Sequence, residues 1–89
     1  MVNVKRVMLD VLKPHLPDAL EFTQAIAKVG ENYRVRLTVL EMDENTQTLQ
    51  LEVEASAVDL KAIESAITSM GGSLHSVDQV EVQNEADHG

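Results

Sequence analysis

Apolar and polar residues alternate along four segments of the chain, and a period of two is typical of half-buried β-strands. These segments are residues 4–12, 33–42, 47–55 and 73–82. Two other segments, residues 17–29 and 57–70, repeat apolar residues at intervals of three and four, which predicts amphipathic helices. Gly30 follows the first helix and Gly71 the second, at positions where glycine commonly ends a helix. The pattern therefore predicts the order β-α-β-β-α-β.

This order indicates a ferredoxin-like α+β fold, in which two helices cover one face of a four-stranded antiparallel sheet. Right-handed crossover connections give the strand order 4-1-3-2. The odd-numbered residues of the first three strands then face the helices. We predict a single domain over residues 1–82, because 89 residues support one core. Residues 83–89 carry no large apolar side chain and are predicted to form a disordered acidic tail.

The second and third strands form a hairpin whose register is fixed by two independent patterns. A loop at residues 43–45 suits the sequence Asp-Glu-Asn, because asparagine tolerates the left-handed conformation that a three-residue hairpin loop requires. This loop places apolar residues opposite each other on one face and opposite charges on the other, and a shift by one residue would break both patterns. The predicted pairs are Val35–Val53, Leu37–Leu51, Val39–Leu49, Arg36–Glu52 and Arg34–Glu54.

Large apolar residues are also predicted on the sheet face that no helix covers. They are Met8, Leu12, Leu40 and Met42. A group of exposed apolar side chains indicates a partner surface. A domain of this size has a small core, which association with further copies commonly supplements. We therefore expect a homo-oligomer, with Leu20, which lies off the buried face of the first helix, as a further contact.

Composition adds mainly exclusions. The chain has no cysteine, so disulfides and thiolate metal sites are excluded. It shows no apolar run long enough for a signal peptide or a membrane span, which predicts a cytoplasmic protein. Its net charge of −8 is uneven: residues 1–40 hold six basic and four acidic side chains, and residues 41–89 hold one basic and eleven acidic. Because such a surface repels polyanions, we do not expect nucleic acid as a partner. The lack of a long apolar run means that we expect no membrane partner either.

The last strand departs from its own alternation. If Leu74 and Val80 face the core, strict alternation also buries Ser76 and Asp78. Burial of an unpaired carboxylate is costly, and a bulge between Leu74 and Val80 would avoid it by turning Val77 inward and freeing Asp78. Bulges are common both on edge strands and beside functional sites. The segment is therefore either a bulged edge strand with solvent-facing polar residues or a contact site for a subunit, an ion or a small molecule.

Two stretches, LDVLKPH at residues 9–15 and GGSLHSVDQV at residues 71–80, resemble the signature stretches of a family of small, mostly archaeal proteins. This family is domain of unknown function 211. The resemblance spans about residues 4–82 and implies a ferredoxin-like fold and ring-shaped homo-oligomers, with no established activity. The polar signature positions of the family fall on Asp10, Lys13, Pro14, His15, Gly71, Gly72, His75, Ser76 and Asp78.

These polar residues come from the end of the first strand and the start of the last, which are neighbours in this fold. Carboxylate and imidazole groups are ligands for a divalent metal ion, the one cofactor that the sequence suggests. The candidate metal ligands are Asp10, His15, His75 and Asp78. A second hypothesis is a site for a small ligand such as an anion, which imidazoles would hold more tightly as they gain a proton. Its candidate residues are Lys13, His15, His75 and Ser76.

No nucleophile–base pair emerges from the sequence. Ser76 follows His75 directly, and adjacent residues of a strand point to opposite faces. We therefore predict that the chain is not an enzyme. The leading hypothesis is a non-enzymatic homo-oligomeric binding or scaffold protein, with a small-ligand or metal site where the first and last strands meet. The alternatives are a regulatory module resembling ACT domains, which binds a small molecule between subunits, and an enzyme with a site at a subunit interface.

Overall fold

The computed structural model describes residues 1–86 and contains six elements in the predicted order. They are β1 (Val2–Pro14), α1 (Ala19–Ala27), β2 (Arg34–Met42), β3 (Thr46–Glu54), α2 (Leu60–Ser69) and β4 (Ser73–Asn84). The four strands form one antiparallel sheet in the order β2-β3-β1-β4, which is the predicted order 4-1-3-2 counted from the other edge. The ferredoxin-like α+β fold is confirmed.

The core lies between the sheet and the two helices. The helices contribute four fully buried residues, Phe22, Ile26, Ile63 and Ile67. The strand residues packed against them are Val7, Leu9, Val11, Leu49, Leu51 and Val53. All six have odd numbers, as the alternation in β1 and β3 predicted. Burial of side chains of this size contributes about 1.5–3 kcal/mol each, so this cluster holds the helices on the sheet.

Both helices are preceded by a capping aspartate and are shorter than predicted. The Asp18 carboxylate accepts a hydrogen bond from the Glu21 N–H at 2.9 Å, and the Asp59 carboxylate accepts one from the Ala62 N–H at 3.1 Å. These bonds satisfy backbone groups that have no partner inside the first turn of a helix. The helices have nine and ten residues and the strands nine to thirteen. The helices are nevertheless much shorter in ångströms, because a helix rises about 1.5 Å per residue and a strand about 3.3 Å. They therefore cover only part of the sheet.

The β2–β3 hairpin has the predicted register in all five predicted pairs. The charged pairs differ from a simple ion pair across two strands, because the Glu52 carboxylate accepts a hydrogen bond from Arg6 of β1 at 2.6 Å. Arg6 also lies 3.7 Å from the Glu54 carboxylate. The hydrogen bond between Arg6 and Glu52 raises the pKa of Arg6 and lowers the pKa of Glu52, since each charge stabilises the other.

The hairpin departs from the prediction near its turn. The register shifts by one residue after Val39, so that Met42 pairs with Gln47 and Leu40 lies in a β-bulge. The backbone N–H of Asp43 donates to the Thr46 carbonyl at 3.0 Å, which closes the turn one residue tighter than expected. Residues paired across a sheet share a face, so Met42 lies on the helix side and not on the outer face.

The predicted bulge in β4 is confirmed, and a second one accompanies it. Relative to β1, the strand has an extra residue at Asp78 and another at His75. Leu74, Val77 and Val80 consequently pair with core-facing residues of β1, and Asp78 stays exposed. The two bulges bring three apolar side chains to the helix side without burying a carboxylate.

The ordered domain extends beyond residue 82, where we predicted its end. The last strand continues to Asn84, which pairs with Val2. The Glu85 carboxylate then lies 2.6 Å from the Lys5 ammonium and accepts a hydrogen bond from the Asn3 amide at 2.8 Å. These contacts lower the pKa of Glu85. Residues 83–85 therefore belong to the fold, while residues 87–89 of the predicted tail lie outside the described residues.

Candidate functional site

Four of the predicted site residues lie together where β1 meets β4. Asp10 pairs with Ser76, and the Ser76 hydroxyl donates to the Asp78 carboxylate at 2.6 Å. His75 is the extra residue of the first bulge and is exposed, as are Ser76 and Asp78. The bulges thus present an imidazole, a hydroxyl and a carboxylate to solvent along one edge strand. A role for these residues in holding a ligand stays a prediction.

His15 lies on the other side of β1, against the β2–β3 turn. Its Nε2 atom is 2.9 Å from the Asp43 carbonyl oxygen, and its Nδ1 atom is 3.5 Å from the Gln47 side-chain amide. The sequence had suggested that His15 and His75 lie together, and the structure places them apart. No group of three or more His, Cys, Asp or Glu residues that could hold a metal ion occurs within residues 1–86. The four candidate metal ligands are divided between two places in a single chain.

Lys13 is fully enclosed, although it was predicted to contact a ligand. Its ammonium donates to the Pro14 carbonyl at 2.7 Å, approaches the His15 carbonyl at 3.4 Å, and lies 5.9 Å from the centre of the Phe22 ring. Burial lowers the pKa of Lys13, and the negative charge of Asp18 opposes this effect. An enclosed ammonium cannot meet a ligand from solvent in this conformation. The structure instead gives Lys13 a role in fixing the chain after β1.

Gln47 is a buried polar residue that the sequence reasoning missed. It pairs with Lys13 across β1 and β3, and its Oε1 atom has no hydrogen-bond partner among the described residues. The signal was present in the alternation, because Lys13 continues the inward series of Val7, Leu9 and Val11. Gln47 likewise continues the series of the facing strand. Both polar residues extend the core-facing rows towards the turn.

The buried ammonium leads to a prediction about stability at alkaline pH. The folded pKa of Lys13 is below its ordinary value of 10.5, so between these two pKa values the unfolded chain binds a proton that the folded chain has released. Stability must rise with pH in that window, and a pKa lowered by one unit corresponds to about 1.4 kcal/mol. Methionine does not titrate. We expect the stability of wild type relative to the Lys13→Met variant to increase from neutral pH towards 10.5.

Urea denaturation of both proteins at matched concentration, at neutral and at alkaline pH, measures this difference. The other lysines and Tyr33 titrate in both proteins, so their contributions cancel. A difference in unfolding free energy that is constant or decreases with pH would show that the Lys13 ammonium is hydrated in the folded state.

The outer face of the sheet carries charges, a depression and a smaller apolar surface than predicted. Met8 and Leu12 lie there half-buried, Leu40 lies in the hairpin bulge, and Met42 pairs with Gln47 on the helix side. An open depression of about 610 Å³ lies at the end of the sheet near the start of β1. Its charged lining residues are Lys5, Arg6, Arg34, Glu54 and Glu81. Both signs of charge are present, which does not favour a ligand of one sign.

Exposed apolar residues lie instead along the two open edges of the sheet. On β4, Val77, Val80 and Val82 are 40%, 51% and 50% exposed. On β2, Val39, Leu40 and Met42 are 40%, 56% and 63% exposed. Leu20, at 67%, was predicted as a contact and projects from the helix beside β2. Both edge strands therefore present apolar side chains that a single chain leaves uncovered.

Comparison with known proteins gives the chain a family. The sequence model of the DUF211 family, described as "Uncharacterized ArCR", matches residues 5–85. An uncharacterized protein of Methanocaldococcus jannaschii, MJ0319, is 32% identical over 80 residues, which cover 90% of this chain and 82% of that protein. The matched region contains both signature stretches, and it includes β3 and α2 as well. The chain therefore belongs to the DUF211 family.

Proposed function

We propose that this protein is a non-enzymatic binding or scaffold protein that acts as a homo-oligomer, with its two sheet edges as the subunit contacts. The observation that supports this most is the exposure of apolar residues on both edge strands, which no helix of the same chain covers. An exposed edge strand with apolar side chains normally pairs with another chain. A second copy of this chain supplies one, because each copy carries both edges.

Burial of the exposed apolar residues at the sheet edges favours association. The core of a domain this small leaves a narrow margin of stability. Each half-exposed valine on β4 still has apolar surface to remove from water, and burial is worth about 25 cal/mol per Å². In the assembly each subunit would bury apolar residues at both edges, those of β4 against one neighbour and those of β2 against the other. Association therefore stabilises the fold as well as the assembly.

The hydrogen bonds of the candidate site residues support a binding role over a catalytic one. The Ser76 hydroxyl donates to a carboxylate, and His15 contacts a backbone carbonyl. Nucleophilic catalysis by serine needs a base that accepts the hydroxyl proton and is itself oriented by a third group. The hydrogen bonds of these residues do not form that chain.

We also propose that the protein is cytoplasmic and does not bind nucleic acid. Its cysteine-free composition favours the first point, and its net charge of −8 favours the second.

The molar mass in solution tests the proposal. We expect multi-angle light scattering and sedimentation at micromolar concentration to give a mass several times the chain mass of 9.8 kDa. Far-ultraviolet circular dichroism of the same sample checks that the chain is folded. A folded protein with a mass of 9.8 kDa across the accessible concentration range would contradict the proposal.

A further inference from the structure

We infer that the subunits join head to tail, with β2 of one copy antiparallel to β4 of the next, in the register that places Arg34 beside Glu81 of the neighbouring copy. This inference rests on the proposed homo-oligomer and adds the identity, direction and alignment of the two contacting edges. It follows from the residue pairs that cross the sheet.

Three apolar rows cross the whole sheet on its helix side. Each row contains one residue from every strand, in the spatial order β2, β3, β1, β4. The rows are Val35–Val53–Val7–Val80, Leu37–Leu51–Leu9–Val77 and Val39–Leu49–Val11–Leu74. The rows end at both open edges with an apolar residue. A neighbouring β2 placed beside β4 at the same height would continue all three rows into the next copy.

A charged row crosses the outer face at the level next to Val35 and Val80. Its members alternate in sign from one edge to the other: Arg34 on β2, Glu54 on β3, Arg6 on β1 and Glu81 on β4. Arg6 contacts Glu54 at 3.7 Å inside the row. Arg34 and Glu81, at the two ends, are exposed and form no ion pair with any residue in the range 1–86. The row ends positive at one edge and negative at the other.

The charges at the edges favour the head-to-tail arrangement over the symmetric ones. Two β2 strands placed edge to edge would oppose like charges in the register that pairs Arg34 with Arg36, and would leave Glu81 at the other edge without a partner. Two β4 strands would bring together edges that carry Asp78 and Glu81 and no lysine or arginine. Like charges directly opposite each other on neighbouring strands are destabilising, and opposite charges are favourable. Only β2 against β4 continues the alternating row.

The bulges of β4 define where the contact is centred. Bulges twist an edge strand and limit its pairing with another strand. Both bulges of β4, at His75 and Asp78, lie before Gln79, and the segment from Gln79 to Glu81 pairs with β1 without a shift, up to a further shift at Lys5 of β1. The first residues of β2 are also regular, because its bulge lies at Leu40. The two regular segments face each other with Val35 beside Val80 and Arg34 beside Glu81.

This geometry has a consequence for the shape of the assembly. A contact between two different surfaces leaves one free edge of each kind at either end of a growing chain of subunits. Such a contact closes into a ring where the rotation between subunits allows it, and otherwise extends into a filament. The same edges that expose apolar residues in one chain are then covered in every subunit of a closed ring.

Charge reversal tests the register. Arg34→Glu and Glu81→Arg should each place like charges across every subunit contact, and we expect each variant to weaken association at least tenfold at low salt. The double variant Arg34→Glu/Glu81→Arg reverses both ends of the row, and we expect it to recover association to within a few-fold of wild type. Lys61→Glu and Glu64→Arg, on the exposed side of α2, change the net charge by the same amounts and serve as controls.

Light scattering over a dilution series measures these masses, with circular dichroism to confirm folding. A wild-type protein that is monomeric would overturn the proposed homo-oligomer itself. A wild-type oligomer with single variants that associate as the controls do, or a double variant no better than the single ones, would leave the oligomer in place and overturn this register.

Discussion

Replacing Val80 with aspartate is expected to convert the assembly into folded monomers of 9.8 kDa. Val80 ends an apolar row on the helix side of β4 and is 51% exposed in the single chain, so a carboxylate there can stay hydrated in a monomer. In the head-to-tail contact it would lie against Val35 of the next copy. Burial of an unpaired carboxylate costs several kcal/mol, and about 1.4 kcal/mol corresponds to a tenfold change in affinity. Each contact should therefore weaken about a hundredfold or more.

Val2→Asp is the matched control for this variant. Val2 is an exposed valine on β1, and it is not part of the apolar rows that reach the β4 edge. We expect its assembly to resemble that of wild type. Sedimentation of the three proteins at equal concentration, with thermal unfolding followed by circular dichroism, separates dissociation from unfolding. A Val80→Asp protein with the wild-type mass would show that the β4 edge is not a subunit contact.

The fold could be predicted from sequence because several patterns required the same answer. In the β2–β3 hairpin, apolar pairs such as Leu37–Leu51 and charged pairs such as Arg36–Glu52 both specified one register. The bulge that frees Asp78 was also predictable, since burial of a carboxylate is costly whatever the neighbouring elements are. Such constraints are local, and they depend on one strand pair at a time.

Other features depended on contacts that no single segment encodes. The bulge at Leu40 follows from the tighter closure of the turn by Asp43 and Thr46, and it reversed the face predicted for Met42. The partner of Glu52 became Arg6 because β1 lies on the other side of β3. Each of these outcomes was decided by the position of a neighbouring strand or by the geometry of the turn.

The candidate site was predicted less well than the fold, for an identifiable reason. The predicted topology grouped Lys13 and His15 with the last strand, because the end of β1 and the start of β4 are neighbours in this fold. The alternation of β1 turns Lys13 inward, and His15 leaves the strand towards the β2–β3 turn. Only His75 and its neighbours remain on the open edge. The sheet edges are therefore a better candidate for the functional surface than the compact polar cluster that the sequence suggested.

Disulfide cross-linking between the two edges tests the head-to-tail assembly most directly. The chain has no cysteine, so Arg34→Cys/Glu81→Cys introduces the only two thiols. Within one chain these positions lie on opposite edges, three strand spacings or about 14 Å apart, which is too far for a disulfide. Across the proposed contact they are cross-strand neighbours at about 5 Å, within the range that a disulfide requires.

Mild oxidation followed by denaturing electrophoresis without reductant is the measurement. We expect the double variant to form a ladder at multiples of 9.8 kDa that collapses on reduction. Each single-cysteine variant can form dimers at most and serves as the control. A double variant that remains monomeric, or forms only the dimers of the controls, while native light scattering shows an oligomer, would contradict head-to-tail assembly through these edges.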